Sequence, residues 1–391
     1  MLFLWSVITN YRLPTLTVTV SQVTLTGEST RQTPQANLHS LALEGTLSLP
    51  FWLIVPTYNP GLQAWADWLQ ALKAQQSQPS RVIVVDSGST DGSLALTQQA
   101  VQSHSCHTEP ALEATPFTLL HVNAAQFDHG GTRQWALDQA LLEPAQMPPQ
   151  VVLFMTQDAV LAHPDALSNL IQTFQSTDVA AAFGRQLPKP QASWLEAHAR
   201  QYNYPGQSRR VQLQDKDKLG LKVCFFSNAF GAYRLSALQA MGGLPTKLPL
   251  GEDTYLAAKL LLSGQSIQYQ AEAAVYHSHH YNGQQDFQRM FDTGVLHAQN
   301  PWILQSFGSA EGQGWQLAQH QWEHLKLLVR PQETPLAVQS KVPSLLGGLF
   351  QMLFTNSLKL LGFKLGQSHR LLPKALKRHL SMHKSFWKQQ A

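Results

Sequence analysis

Short apolar runs alternate with longer amphipathic stretches from residue 50 onward. Runs of Val, Ile, Leu and Phe bounded by polar loops are typical of buried strands in a parallel sheet. They predict strands at Phe51–Val55, Arg81–Val85, Phe117–Val122, Val151–Met155 and Val179–Phe183. The intervening stretches predict helices at Gly61–Gln76, Ser93–Ser103, Thr132–Leu142 and Pro164–Phe174. This alternation predicts an α/β fold with an open parallel sheet, whose ligands bind beyond the carboxyl ends of the strands.

The two ends of the chain differ from this central pattern. Residues 1–48 are rich in Thr, Ser and Gln, and they predict a peripheral segment with one edge strand around Leu16–Leu25. Near the other end, the pattern predicts helices at Arg289–Gly294 and Trp315–Leu328. We therefore divide the chain into a peripheral segment 1–48, a catalytic-type α/β domain 49–290 and a helical C-terminal region 291–391.

Composition and charge narrow the class of protein. With 43% hydrophobic and 13% charged residues, the chain is globular and not disordered. Residues 341–391 carry nine Lys or Arg and no acid, whereas the preceding 340 residues hold 19 basic and 24 acidic side chains. Bases interleaved with Leu, Phe and Trp favour an anionic membrane surface. A solvated helical tail packed on the domain explains them equally well, and without a recognised binding module we expect no nucleic acid partner.

Several features favour a cytoplasmic protein. Two cysteines, Cys106 and Cys224, cannot build a disulfide framework, which fits a reducing compartment. The apolar start Met1–Ile8 lacks the basic region and cleavage site of a signal peptide. The apolar stretch 344–363 is interrupted by polar residues, including Lys359, so we do not expect it to span a membrane.

The first two predicted strands end in polar loops. The first loop reads Pro56-Thr57-Tyr58-Asn59, in which Tyr58 offers an aromatic face for a base. The second reads Asp86-Ser87-Gly88-Ser89-Thr90-Asp91-Gly92. An Asp that leaves a buried strand can accept hydrogen bonds from a ribose or a base, and the glycines permit a sharp turn. Asp91 is explained equally well as a cap of the next helix.

Two further loops carry glycines and charged residues. In the run 127–133, Gly130 and Gly131 allow close backbone approach, and Arg133 can clamp a phosphate or a carboxylate. Alternatively, Thr132 caps the following helix and Arg133 is solvated in its first turn. The strand Val151–Met155 runs into Thr-Gln-Asp, whose carboxylate suits a hard cation, although a lone Asp there also fits a surface or capping residue.

Acids and imidazoles follow in the second half of the domain. Glu252 and Asp253 open a predicted helix over 254–262, where the helix dipole stabilises adjacent acids. A strand-like stretch, Ile267–Val275, leads into a segment with His277, His279 and a third histidine. Imidazoles this close indicate a metal ligand or phosphate partner at His277 or His279, although histidines that merely cap a strand end fit as well.

These motifs together resemble a known family. Pro-Thr-Tyr-Asn at 56–59 followed by Asp-Ser-Gly-Ser-Thr-Asp-Gly at 86–92 resembles the opening of inverting family-2 glycosyltransferases of the GT-A fold. His-Gly-Gly-Thr-Arg at 129–133 with Thr-Gln-Asp-Ala at 156–159 resembles the bacterial rhamnosyltransferase branch of that family. The resemblance covers roughly residues 50–387, and it implies a mostly parallel nucleotide-binding sheet flanked by helices, with a C-terminal helical region.

The resemblance also implies roles for individual residues. Asp253 would be the general base with Glu252 beside it, and Asp158 and His277 would hold Mg²⁺ or Mn²⁺. Asn228, Arg234 and His279 would lie on the acceptor side. The donor would be bound by Pro56, Thr57, Tyr58, Asn59, Asp86, Ser87, Gly88, Asp91, Gly130, Gly131, Arg133 and Gln157.

The implied reaction is an inverting transfer of L-rhamnose from dTDP-rhamnose to a lipid-linked or polysaccharide acceptor of the cell surface, at the cytoplasmic face of the membrane. Two alternatives remain open. One keeps the fold and uses a UDP-hexose donor. The other is an inactive module that binds a nucleotide sugar. Thr156 favours this alternative, because the family often has an acid at that place. The acids at 252 and 253 oppose it.

Overall fold

The structure is a computed structural model that describes residues 49–105, 115–143, 147–279, 281–309, 311–329 and 344–389. The edge strand expected around Leu16–Leu25 and the third histidine, His280, lie outside the described residues.

Among the described residues, nine strands form one sheet in the order β3-β2-β1-β4-β8-β6-β9-β5, with β7 paired to β9. The strands are β1 Phe51–Thr57, β2 Arg81–Asp86, β3 Phe117–His121, β4 Val151–Met155, β5 Val160–Leu161, β6 Val179–Leu187, β7 Arg209–Val211, β8 Phe230–Arg234 and β9 Ser266–Tyr276. Strands β3, β2, β1 and β4 pair in parallel, as do β6 and β9. The mostly parallel sheet predicted from the sequence is therefore confirmed.

Helices cover both faces of this sheet and continue beyond it. They are α1 Leu62–Lys73, α2 Ser93–Ser105, α3 His129–Leu141, α4 Ala166–Gln172, α5 Trp194–Asn203, α6 Lys216–Leu219, α7 Leu235–Ala240, α8 Glu252–Leu262, α9 Gly283–Gln299, α10 Pro301–Phe307, α11 Glu311–Leu328, α12 Leu345–Gln367, α13 Lys374–Leu380 and α14 Lys384–Gln389. The described residues all fall within one compact unit, and the boundary predicted at residue 290 lies inside α9.

The central strands are buried along their whole length. Every residue of β1, β2 and β4 is buried, because side chains on both faces pack against helices. Ile54 of β1 packs in the cluster that includes Leu256 of α8, and Leu53 packs in the one that includes Trp65 of α1. This double coverage explains why these strands read as continuous apolar runs.

Strand β8 runs antiparallel between β4 and β6. Its register places Phe230 opposite Met155 and Arg234 opposite Val151. The loop that enters β8 therefore lies beside the loop that leaves β4. This adjacency brings the residues just before β8 to the edge of the sheet where the parallel strands end.

The C-terminal region packs closely on the rest of the chain. Gly366 of α12 lies so near α9 that a Cβ atom built on it would be 2.0 Å from the carbonyl oxygen of Phe291. Phe386 and Trp387 are buried in the same cluster as Phe291. The expectation that these tail aromatics face a membrane is wrong, because they form part of the core. Within the described ranges, no helix is both long and apolar enough to cross a bilayer.

Candidate active site

The loops that follow β1, β2 and β4 hold one another in place. The side-chain amide of Gln157 pairs with both backbone groups of Tyr58: its oxygen accepts from the N–H at 2.7 Å, and its nitrogen donates to the carbonyl at 3.0 Å. The N–H of Asn59 donates to Ser89 Oγ at 2.9 Å, and its side-chain oxygen accepts from Thr90 N at 2.7 Å. The three loops thus form one polar surface. Tyr58 lies on this surface and is 54% exposed to solvent.

Asp86 builds the turn after β2. Its buried carboxylate accepts from the N–H groups of Gly88 at 2.8 Å and Ser89 at 3.0 Å. Gly88 has a φ of 89°, a conformation that residues with a Cβ rarely adopt. The hydroxyls of Thr57 and Ser87 lie in the same turn: Thr57 Oγ1 is 3.4 Å from Asp86, and Ser87 Oγ is buried without a hydrogen-bond partner. These hydroxyls lie with the Asp86 carboxylate in one buried turn.

Asp91 ties the second loop to the first. Its carboxylate accepts from the N–H of Gly61 at 2.6 Å and from Ser93 Oγ at 2.6 Å. The interpretation of Asp91 as a helix cap fits these contacts, since Ser93 begins α2.

Pro56, from the first of the two loops, lies within β1, opposite Val85 of β2.

A cleft of about 410 Å³ opens beside Asp86. His121, at the end of β3, lines it and lies 4.0 Å from the Asp86 carboxylate. Asn123, Trp135 and Lys247 also line the cleft. An indole, an imidazole and an amide together can stack against a planar base and hydrogen-bond its edges. Sequence reasoning missed these residues, because a single Trp inside a helical pattern reads as a core residue.

The two glycines at the start of α3 serve helix packing and capping. A Cβ on Gly130 would lie 1.9 Å from the carbonyl oxygen of Pro245, so only glycine fits there. The N–H of Gly131 donates to the carboxylate of Asp128, which caps α3. Gly131 also lines the cleft. The helix cap is therefore Asp128 and not Thr132.

Arg133 forms a buried ion pair. Its guanidinium donates to Glu252 Oε1 at 3.2 Å and to the carbonyl of His129 at 2.7 Å. The side chains of Arg133 and Glu252 are only 4% and 7% exposed. The side-chain amide of Asn228 donates to the same oxygen of Glu252 at 3.1 Å. Arg133 thus organises the acids at the start of α8, and the alternative that it is a solvated residue is wrong.

Asp253 lies next to this pair, and backbone groups orient it. The N–H of Asn228 donates to one carboxylate oxygen at 3.2 Å, and the N–H of Thr254 donates to the other at 2.7 Å. Burial and the negative charge of Glu252 raise the pKa of Asp253 well above its usual range. A carboxylate of raised basicity suits removal of a proton from a hydroxyl group.

Asp158, His277 and His279 converge on one point. Asp158 Oδ2 lies 3.4 Å from Nε2 of His277 and 3.4 Å from Nδ1 of His279. One ligand atom from each residue lies within 4.8 Å of the others. Nitrogen and oxygen atoms that share a cation at about 2.1 Å are separated by roughly 3.0–3.4 Å. The structure therefore places His279 with the candidate metal ligands, one of the roles that the sequence left open for it, whereas the resemblance implied the acceptor side.

The protonation state of His277 supports a cation at this point. Its Nδ1 lies 2.8 Å from Gln186 Oε1, and the Gln186 nitrogen donates to Ser227 Oγ at 2.9 Å. Burial lowers the pKa of His277 and lowers that of His279 to about 3, so both rings are neutral near pH 7. A neutral His277 that donates from Nδ1 points the lone pair of its buried Nε2 at Asp158 Oδ2, 3.4 Å away. Two facing lone pairs fit a divalent cation held between them.

Residues just before β8 contact both the candidate metal ligands and the acid pair. The N–H of Thr156, two residues before Asp158, donates to the carbonyl of Ala229 at 3.3 Å. Toward the candidate metal ligands, Ser227 Oγ accepts a hydrogen bond from Gln186. Toward the acid pair, Asn228 contacts both Glu252 and Asp253. The antiparallel insertion of β8 thus joins the two halves of the site.

Arg234 lies elsewhere. It ends β8 at the opposite edge of the sheet, where its guanidinium donates to the carbonyls of Phe174 at 2.7 Å and Ser176 at 3.0 Å. These contacts give it a structural role in the turn after α4. The structure does not bring Arg234 to the acceptor side of the site.

The C-terminal tail contacts a residue that adjoins the site. His383 Nδ1 lies 3.4 Å from Nε2 of His129, whose carbonyl accepts from Arg133. Asp292 of α9 accepts from the N–H groups of Met382 at 2.9 Å and His383 at 3.2 Å. Nothing in the local sequence around residue 383 indicates this contact, since it links residues 254 positions apart.

Comparison with known proteins agrees with this geometry. The family model for glycosyl transferase family 2 matches residues 52–242. The chain is 39% identical over 337 residues to the O-antigen chain rhamnosyltransferase WbaN of Salmonella anatum, covering 86% of this chain and 95% of WbaN. It is 38% identical over 335 residues to the O-antigen chain rhamnosyltransferase RfbN of Salmonella typhimurium strain LT2, with the same coverages. The chain belongs to the bacterial rhamnosyltransferase branch of glycosyl transferase family 2.

A solved structure confirms the fold of this glycosyltransferase. The mannosyltransferase PcManGT from Pyrobaculum calidifontis, solved with GDP-Man and Mn²⁺, superposes with a TM-score of 0.53. The two proteins are 18% identical, over 83% of this chain and 87% of PcManGT. The GT-A fold expected from the motifs is thus confirmed, and the family membership predicted from them is confirmed by WbaN and RfbN.

Proposed function

We propose that this glycosyltransferase moves L-rhamnose from dTDP-rhamnose to a hydroxyl of a lipid-linked or polysaccharide acceptor, with inversion and with a divalent cation. The observation that carries the proposal is the 39% identity to WbaN, which extends over 95% of that rhamnosyltransferase. A match over 86% of this chain leaves out too few residues to omit the strand-end loops or the acid pair. We place the reaction at the cytoplasmic face of the membrane.

The donor would lie across the carboxyl edge of the sheet. The cleft beside Asp86 would take the nucleoside, with Trp135 and Asn123 contacting the base. The diphosphate would then run over the loops after β1 and β4 toward Asp158. There, Asp158, His277 and His279 would hold Mg²⁺ or Mn²⁺, which would neutralise the charge that develops on the departing diphosphate.

Asp253 would act on the acceptor. Its carboxylate would take the proton of the acceptor hydroxyl while that oxygen bonds to the anomeric carbon and the nucleoside diphosphate leaves. The raised pKa makes Asp253 a stronger base than an ordinary carboxylate, and general-base assistance contributes about 10²–10⁴-fold to such a step. Attack opposite to the leaving group inverts the configuration.

The test measures release of nucleoside diphosphate from dTDP-rhamnose, UDP-hexoses and GDP-mannose, with Mn²⁺ or Mg²⁺ and then EDTA, and with membrane extract as acceptor. We expect release from dTDP-rhamnose that EDTA, Asp158→Ala or Asp253→Asn abolishes and that the exposed-site control Asp138→Asn leaves unchanged. Asp253→Asn should retain donor binding. Release only from a UDP-sugar would refute the donor assignment, and NMR of the product linkage would reveal retention if inversion is wrong.

A further inference from the structure

Helix α12 buries one face and exposes an apolar one. Its buried side contains Gly348, Met352, Gly362, Phe363 and Gly366. The opposite side presents large apolar side chains that are 52–78% exposed and that lie within one arc of about 120° around the helix axis. This apolar stripe consists of Leu346, Phe350, Leu353, Phe354, Leu360 and Leu361.

The stripe is larger than ordinary surface scatter. From Leu346 to Leu361 it runs about 22 Å, at 1.5 Å per helical residue. The rings of Phe350 and Phe354 stack on it with their centroids 6.1 Å apart. Single exposed apolar residues are normal on a protein surface, whereas six large apolar side chains exposed on one face of a helix mark an interaction site.

The charges around the stripe identify its partner. Between residues 344 and 389 every charged side chain is a Lys or an Arg. Arg370, Lys374 and Arg378, which follow the end of α12, are exposed. Lys359 is paired with Asp286 of α9 at 3.3 Å, and the segment as a whole is basic. An amphipathic helix within a basic segment complements an anionic lipid surface. A second copy of the chain would bring a like-charged segment against this one.

The stripe also lies close to the candidate active site. A Cβ built on Gly283 would be 3.0 Å from Leu358 and 3.7 Å from Phe354. Gly283 begins α9 and follows His279, a candidate cation ligand, by four residues. A bilayer that receives Phe354 would therefore lie next to the loop that carries His279.

We propose that the apolar stripe of α12 inserts into the interface of an anionic bilayer and so presents the active site to membrane-borne substrate. That the substrate is a lipid-linked acceptor rests on the function proposed above, whereas the docking itself does not. The docking surface is therefore α12 and not the aromatic end of the tail.

Co-sedimentation of the full chain with lipid vesicles tests the proposal. We expect binding to phosphatidylglycerol–phosphatidylcholine vesicles, and weaker binding to phosphatidylcholine alone or in high salt. The double variant Phe350→Ser/Leu353→Ser should bind at least about tenfold more weakly, because each large apolar side chain contributes about that much when inserted. The control Leu142→Ser/Met147→Ser likewise removes two large apolar side chains, which are 74% and 90% exposed, and it should bind within about twofold of the parent.

Undiminished vesicle binding by the α12 variant would overturn the proposal, as would a chain that binds no vesicles. If the parent instead sediments as a dimer that the α12 variant dissociates, the stripe is a self-association surface and the proposal is wrong. Both variants should keep the thermal stability of the parent, since the altered side chains are exposed. Vesicle binding needs no turnover, so an inactive chain that docks would refute the proposed function and leave the docking intact.

Discussion

The buried ion pair of Arg133 and Glu252 allows a prediction with a magnitude. The two side chains are separated by 3.2 Å, and 4% and 7% of their surfaces are exposed. Arg133→Met keeps most of the side-chain volume but leaves a buried carboxylate with the Asn228 amide as its remaining side-chain partner. Removing one member of a buried pair costs about 3–5 kcal/mol, because the remaining charge has neither water nor a countercharge.

The same substitution changes the basicity of Asp253. Burial and Glu252 raise the pKa of Asp253, and the positive charge of Arg133 partly opposes them. Without Arg133, the pKa of Asp253 rises further. Since a general base acts in its deprotonated form, we expect the acid limb of the kcat/KM profile to move to higher pH.

Thermal unfolding and the pH profile test these two consequences. We expect Tm to fall by roughly 6–20 °C in Arg133→Met, since the loss is about 3–5 kcal/mol and about 1 kcal/mol corresponds to about 2–4 °C in a large domain. Arg210→Met is the matched control, because its 2.9 Å pair with Asp178 is 41% and 50% exposed and such pairs contribute at most about 1 kcal/mol. The double variant Arg133→Met/Glu252→Gln should recover most of the loss. Equal Tm values for parent and Arg133→Met would refute the desolvation argument, and an acid limb that stays in place would refute the pKa argument.

Three further substitutions test other parts of the structure. Gln186→Leu should weaken Mn²⁺ binding by about 10–100-fold in calorimetry, because Gln186 orients His277; unchanged affinity would exclude that role. Gly366→Val should destabilise the protein by about 2 kcal/mol or more, since its Cβ would meet the Phe291 carbonyl, and an unchanged Tm would show that α9 and α12 do not need this contact. Burial raises the pKa of Asp292 to about 6, so the parent loses stability as pH rises from about 4 through 6, whereas Asp292→Asn does not. The Tm of Asp292→Asn minus that of the parent should therefore be larger at pH 8 than at pH 4.5. A Tm difference that does not change with pH would contradict this.

Much of the fold was predictable because the central strands are buried on both faces. Strand β4 has the predicted bounds Val151–Met155, and β1 extends the prediction only from Val55 to Thr57. The antiparallel β8 was not predicted as a strand. Gly231 and Ala232 interrupt its apolar run, and its place between β4 and β6 depends on pairing with strands far away in the chain.

The candidate site was likewise predictable in part from the sequence. Residues that follow strands, such as Asp86 and Asp158, could be assigned to the binding edge because parallel strands end together there. His279 stands two residues after His277, a spacing that puts both rings on one side of an extended chain and was the available signal for a shared ligand role.

The amino-acid sequence by itself determined which strands are buried, at which edge of the sheet the loops meet, and which family the motifs indicate. Tertiary structure alone decided the partners: Arg133 with Glu252, Gln186 with His277, and His383 with His129. It also decided that Trp387 is buried while Phe350 faces solvent. Hydrophobic periodicity reports how much of a side chain is buried, whereas the identity of its neighbour depends on long-range packing that no local pattern encodes.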